Sequence, residues 1–205
     1  QLVAELLAEE ASGRVHLCSI RNHDWWDRPP TGWAHTIGHF IVFEMLVHHL
    51  DLCRFWFGPP ERFSARAGAS GAQQLAQDNW CAALATYQSS VTVQMIEDWT
   101  MPEFAFATGH PFEEVLITGD AGAIRARSDR VELSRLGSNQ VETWSAPRPG
   151  QTLPGRQLAT EWFPGAFGRS MRTFLDDVSA ADQERRKRDW LDAVDLMEDV
   201  FCVVD

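Results

Sequence analysis

A block of short segments in the middle of the chain has an apolar residue at every second position, and this pattern limits the fold more than any other feature. A period of two is typical of half-buried β-strands, because successive side chains point to opposite faces of a sheet. The run Gly-Asp-Ala-Gly at 119–122 predicts a hairpin turn inside the block. The predicted strands are 62–69, 80–87, 91–99, 115–118, 123–126, 131–136 and 141–144, and one more, 15–20, precedes them.

Segments with helical spacing flank the block. The segment 40–57 is apolar around nearly the whole helical circumference and predicts a buried helix that ends at Gly58. Further helices are predicted at 1–11, 158–178 and 180–200, with a loop at 146–154. We therefore expect one α+β domain, 1–205, with a largely antiparallel, open-faced β-sheet and helices packed on one face. The uncovered face predicts a homo-oligomer.

Charge and cysteine usage exclude several classes of protein. The 18 Lys and Arg against 29 Asp and Glu give a net charge of −11, so neither a nucleic acid nor an anionic membrane is expected as a partner. No apolar run reaches the ~20 residues of a membrane-spanning helix. Scattered cysteines without a close pair predict reduced core thiols and a cytoplasmic location. They are Cys18, Cys53, Cys81 and Cys202.

The predicted buried helix carries the most specific functional signal. At about 100° per residue, Glu44, His48 and Asp51 share one stripe of a helix that is otherwise apolar. Glu44 can hold the His48 ring in one tautomer and leave the other nitrogen free to exchange a proton, a general acid/base arrangement. The same stripe could instead be a hydrogen-bonding network that caps neighbouring strands.

A metal site in the same helix is a further possibility, because His39, His48, His49 and Asp51 lie close in sequence. The chain has no His-Glu-x-x-His, and adjacent histidines on a helix point about 100° apart. We therefore expect no metal.

A tryptophan-rich segment, 22–33, supplies candidate substrate contacts. Two adjacent prolines and a glycine predict a long loop. Indole faces stack on sugar C–H surfaces, and we expect at least one tryptophan to line the site, although any single one could instead pack the loop against the sheet or a dimer mate. The predicted substrate-binding residues are Asn22, His23, Trp25, Trp26 and Arg28, together with His49 and Trp162.

The segment 38–51, Gly-His-Phe-Ile-Val-Phe-Glu-Met-Leu-Val-His-His-Leu-Asp, followed by Leu52, Arg54 and Gly58, resembles the substrate-domain helix of the Gfo/Idh/MocA family of oxidoreductases, named after glucose-fructose oxidoreductase and inositol dehydrogenase. The opening 2–15, the turn region 115–122 and the run 161–164 with Phe167 and Phe174 also resemble that family in order. The resemblance covers the C-terminal substrate domain only.

The resemblance implies that His48 transfers the proton at a substrate hydroxyl and that Glu44 is its acidic companion, although the family more often has Asp at that position. Asp51 would support the pair structurally. It also implies NAD or NADP held by a separate dinucleotide-binding domain or subunit. This chain has no Gly-x-Gly-x-x-Gly, hence no predicted Rossmann domain, and its single lysine, Lys187, lies in a charged run.

We therefore expect the substrate and dimerisation half of an NAD(P)-dependent oxidoreductase that acts on a sugar, a polyol or a related hydroxylated small molecule. The chain by itself should bind no cofactor and be redox-inert, as expected of a fragment, a split-enzyme subunit or a natural truncation. Two alternatives stay open: a module of the same fold that is a non-catalytic binding or partner subunit, and an enzyme that uses His48 for elimination, hydration or glycosidic cleavage.

Overall fold

A computed structural model describes residues 2–25, 36–71, 73–75, 77–101 and 112–145. The helices predicted at 158–178 and 180–200 and the loop predicted at 146–154 lie outside the described residues. Two helical elements and eight strands are described. They are α1 (Leu2–Ala8), β1 (Val15–His23), a π-helical turn (Val42–Leu46) that leads into α2 (Val47–Phe57), β2 (Pro60–Gly68), β3 (Trp80–Tyr87), β4 (Thr92–Asp98), β5 (Phe112–Gly119), β6 (Gly122–Arg127), β7 (Arg130–Arg135) and β8 (Val141–Ser145).

The strands form one sheet in the order β2-β3-β4-β1-β5-β6-β7-β8. Strand β1 lies inside the sheet, parallel to β4 and antiparallel to β5, and all other neighbours are antiparallel. A parallel pair needs a long crossover, and here the segment that contains α2, β2 and β3 provides it. The prediction of a largely antiparallel α+β fold is confirmed, and no described element forms a Rossmann unit.

The core lies on the face of the sheet that carries the helices. Inward positions alternate along each strand, as the period of two predicts, and are almost fully buried. Ile41, Leu46 and Leu50 from the helical segment pack against this face. On the opposite face the exposed large side chains include Leu17, Leu84 and Leu116, and no described helix covers them. The core residues of the sheet include Cys18, Ile20, Ala83, Ala85, Val93, Met95, Ile117, Ile124 and Leu133.

The predicted buried helix differs from a regular α-helix. Residues 42–46 form a π-helical turn in which the Val47 N–H donates to the Val42 carbonyl, five residues back. Asp78 caps the start of this segment, because its Oδ1 accepts the Phe40 N–H at 2.9 Å. The extra residue in the turn rotates the positions that follow it by about 100° relative to a continuous α-helix. His49 is therefore buried, whereas Asp51 is exposed.

The loop predicted at 22–33 begins too early. Asn22 and His23 are the last two residues of β1 and pair with β4 and β5. The prolines that suggested a loop come later and do not affect strand pairing at this point. Strand β5 is also longer than predicted, since it begins at Phe112. These differences matter because the ends of β1 and β5 carry residues of the candidate site.

No described helix is long and apolar enough to cross a lipid bilayer.

Cys18, Cys53 and Cys81 are buried free thiols, as predicted, while Cys202 lies outside the described residues. Burial raises the pKa of Cys53 and of Cys81 to about 12, so both thiols stay protonated.

The hairpin turn predicted at 119–122 is confirmed, and it packs closely against the chain before β1. A Cβ added at Gly119 would lie 2.2 Å from the Ser12 carbonyl oxygen, whereas one at Gly71 would meet nothing within 4 Å. We expect Gly119→Ala to lower the free energy of unfolding by about 1–3 kcal/mol through overpacking, and Gly71→Ala to leave it nearly unchanged. Urea unfolding of both variants measures the difference, and equal midpoints would contradict this close packing.

Candidate functional site

Polar side chains from three adjacent strands meet at one end of the sheet. Asn22 of β1 lies in register with Glu97 of β4 on one side and with Glu113 of β5 on the other. All three positions are in phase with the inward, apolar residues of their strands. Two carboxylates and an amide therefore point to the core side of the sheet, where α2 packs.

His49 of α2 lies between the two carboxylates. Its Nδ1 donates to Glu97 Oε1 at 2.7 Å, and its Nε2 lies 3.5 Å from Glu113 Oε2. The side chains of His49 and Glu97 are 3% and 0% exposed, whereas that of Glu113 is 33% exposed. The cluster is thus buried at Glu97 and opens toward solvent at Glu113.

His49 and Glu113 each stabilise the charged form of the other. Burial by itself lowers the pKa of His49, but hydrogen bonds to Glu113 and Glu97 and their negative charges outweigh burial and raise that pKa to about 10. Burial likewise favours the neutral form of Glu113, yet His49 and the Asn22 amide hold the pKa of this carboxyl below its usual range. At neutral pH His49 is therefore an imidazolium next to the carboxylate of Glu113.

Asn22 and Trp99 complete the hydrogen bonding around Glu113. The Asn22 Nδ2 donates to Glu113 Oε2 at 3.2 Å, and its Oδ1 accepts the Trp99 Nε1 proton at 2.7 Å. The amide is 4% exposed. Asn22 therefore fixes the orientation of Glu113 in this structure, and its predicted contact with substrate stays a prediction.

His48 and Glu44 lie on the outer side of the same helical segment. His48 is exposed, and within the described residues neither of its ring nitrogens has a hydrogen-bond or ion-pair partner. Glu44 is half-buried in the π-helical turn, and burial raises its pKa while the charge of His48 opposes that shift. The same His48 charge helps to lower the pKa of Glu113. His48 is thus an exposed imidazole whose charge acts on Glu44 and on Glu113.

The other predicted site residues are spread more widely. His23 lies on the opposite face of the sheet from Asn22, because adjacent strand residues alternate, and its ring packs 5.8 Å from that of Phe112. Trp25 forms an isolated bridge with Thr100. Trp26, Arg28 and Trp162 lie outside the described residues.

Two members of the cluster, Glu97 and Glu113, were not identified from the sequence. Their signal was present, because Glu97 follows Val93 and Met95 in the inward phase of β4, and Glu113 precedes Val115 and Ile117 in that of β5. A carboxylate in an apolar phase needs a buried partner. Glu97 and Glu113 in their strands therefore carry the same kind of signal as Glu44 in its apolar helix.

That this chain by itself binds neither a metal nor a dinucleotide stays a prediction. No group of three or more His, Cys, Asp or Glu side chains within them is arranged to hold a metal ion. His39 lies 3.6 Å from Asp78, away from the ion pairs of His49. The whole sequence contains no Gly-x-Gly-x-x-Gly turn that would place helix N–H groups around a pyrophosphate.

The family model of the GFO/IDH/MocA C-terminal domain matches residues 1–125. The chain belongs to this family. The resemblance read from the sequence is thereby confirmed, and it accounts for the helix that carries Glu44 and His48. No curated protein matches the chain.

Solved structures of oxidoreductases share this fold. An oxidoreductase from Agrobacterium radiobacter, in complex with NAD+, L-tartaric acid and magnesium, is 20% identical, with a TM-score of 0.61 over 78% of this chain and 45% of that chain. Levoglucosan dehydrogenase in complex with NADH and L-sorbose is 13% identical, with a TM-score of 0.63 over 78% of this chain and 48% of that chain. An oxidoreductase domain protein from Kribbella flavida is 16% identical, with a TM-score of 0.60 over 77% and 48%.

These identities establish a common fold and no more. The chain spans about half the length of each of these structures. The family match therefore concerns the C-terminal domain.

The buried ion pairs predict a characteristic dependence of stability on pH. The pKa of His49 is about 10 in the folded protein and 6.5 in its ordinary state, so its contribution is complete below pH 6.5 and is lost as the pH rises toward 10. We expect the urea midpoint of the wild type to fall over this range more steeply than that of His49→Asn. The exposed His16 gives a control, since His16→Asn should follow the wild type. Parallel curves for the wild type and His49→Asn would contradict a charged His49.

Proposed function

We propose that this chain is the substrate-binding and oligomerisation domain of an NAD(P)-dependent oxidoreductase that acts on a sugar, a polyol or a related hydroxylated small molecule. The observation that carries the proposal is the exposed His48, with both ring nitrogens free of partners in the described residues, close to Glu44 and Glu113. Family membership supplies the oxidoreductase context. The nicotinamide, held by a separate domain or subunit, supplies the hydride-accepting chemistry.

The residues of this chain provide the proton chemistry. Oxidation of an alcohol removes a proton from the hydroxyl and a hydride from the carbon, and a general base must take the proton. His48 accepts that proton, while Glu44 stabilises the imidazolium that forms. Neither residue needs the buried cluster to titrate, because His49 is already protonated. Asp51, which is exposed on the same helix, would support the two structurally.

The substrate class is proposed from the chemistry of the site and from its structural neighbours. Carboxylates and an imidazole recognise hydroxyl groups through hydrogen bonds. L-sorbose bound to levoglucosan dehydrogenase is a hydroxylated compound of this kind. The predicted contacts from Asn22, Trp25, Trp26, Arg28 and Trp162 belong to this proposal. His49 is 3% exposed and His23 lies on the other face of the sheet, so we propose no direct substrate contact for these two predicted residues. Three buried free thiols support a reducing compartment, and we propose the cytoplasm.

The open face of the sheet supports a homo-oligomer. Leu17, Leu84 and Leu116 are 43%, 47% and 39% exposed there. A shallow depression on β2, β3 and β4 includes Leu84 and Ile96 in its lining. Apolar side chains at the centre of an open sheet are stabilised when a second copy covers them.

Mutation of His48 tests the catalytic part of the proposal. In the intact protein that contains this chain, His48→Asn should lower the rate of cofactor reduction about 10²–10⁴-fold, because the proton acceptor is lost. His16→Asn is the matched control and should retain the wild-type rate, with circular dichroism verifying both folds. A folded His48→Asn variant within a few-fold of the wild type would remove His48 from the mechanism and favour a non-catalytic binding subunit.

Mutation of the open face tests the oligomer. Leu84→Arg should shift the protein toward monomer, because burying an unpaired guanidinium in a copy-to-copy interface is costly. Leu136, which is 81% exposed in the turn between β7 and β8, is the control position. Sedimentation velocity distinguishes the species. Identical distributions for Leu84→Arg and Leu136→Arg would show that the oligomer, if formed, uses another surface.

A further inference from the structure

Glu113 is the member of the buried cluster that reaches solvent. One third of its side chain is exposed, whereas His49 and Glu97 are sealed. Its position at the start of β5 places it at the same end of the sheet as Asn22. The cluster therefore presents a single carboxylate to solvent.

The two oxygens of this carboxylate have different environments. Oε2 accepts from Asn22 at 3.2 Å and lies 3.5 Å from His49 Nε2, so the group is held in place from beneath. Oε1 has no hydrogen-bond partner among the described residues, and this oxygen is not buried. A fixed carboxylate with one accessible oxygen is a preorganised hydrogen-bond acceptor.

His48 places this acceptor in the proposed active site. His48 immediately precedes His49 in α2, and the ring of His49 contacts Glu113. The charge of His48 also acts on Glu113. The carboxylate is ionised at neutral pH because His49 and Asn22 stabilise its negative form. A ligand hydroxyl next to His48 is thus within the field of a charged acceptor.

The charges of these groups select the ligand. Three carboxyl side chains, Glu44, Glu97 and Glu113, accompany one buried imidazolium, His49. The one that reaches solvent, Glu113, carries a negative charge. A hydroxyl donates to such a site, whereas a carboxylate or phosphate group is repelled.

We infer that Glu113 is a further substrate-contacting residue, which accepts a hydrogen bond from a substrate hydroxyl and makes the site select neutral hydroxylated compounds over sugar acids and sugar phosphates. The inference rests on the proposed function of His48. Glu113 and the preference for neutral ligands go beyond what family membership implies. His49 and Glu97 act through Glu113 as positioning residues.

The experiment uses the intact protein that contains this chain, with NAD or NADP and a panel of aldoses and alditols, each paired with its sugar acid. The wild type should favour the neutral member at least about 10-fold in kcat/KM. Glu113→Gln should raise KM for the neutral member roughly 10- to 100-fold, the factor expected for one hydrogen bond to a charged group. Glu113→Gln should also reduce the ratio of kcat/KM for the neutral compound to kcat/KM for its sugar acid by about 10-fold or more.

Glu114→Gln is the matched control, because Glu114 is the next residue and pairs with Arg127 on the open face. It should keep the wild-type KM and preference. If Glu113→Gln does not fold, the wild-type ratio decides, and equal turnover of neutral and acidic members overturns the inference. A folded Glu113→Gln that matches Glu114→Gln also overturns it, and His48 keeps its role. No oxidation in either series overturns the proposed function and this inference together.

Discussion

The imidazolium of His49 between Glu97 and Glu113 is the interaction on which the candidate site depends. It joins α2 to β4 and β5 across the core, and each partner would be costly to bury without the others. The pairs therefore fix the rotation of the helix about its axis relative to the sheet. That rotation is what leaves His48 exposed and Glu44 half-buried.

The π-helical turn at 42–46 works with these ion pairs. A continuous α-helix would present a different residue to the sheet, because one residue corresponds to about 100° of rotation. The turn presents His49 to Glu97 and Glu113. Such turns are frequent at functional sites, which agrees with the place of Glu44 inside this one.

The two faces of the sheet have separate roles. In β1, Asn22 faces the helix and His23 faces outward. In β5, Glu113 faces the helix and Glu114 faces outward, so the end of each strand contributes to both faces. The proposed catalysis belongs to the first side and the proposed oligomer to the second. A substitution at one of these adjacent positions can therefore affect one function without the other.

The sequence by itself determined the strand block, the hairpin turn at 119–122 and the helix of Glu44 and His48, because periodicity and turn residues act locally. It identified the family through that helix. Tertiary structure decided which histidine is buried, since the choice between His48 and His49 depends on the π-helical turn and on two carboxylates 48 and 64 residues away. Glu97 and Glu113 join the site only through strand register, which no local pattern specifies.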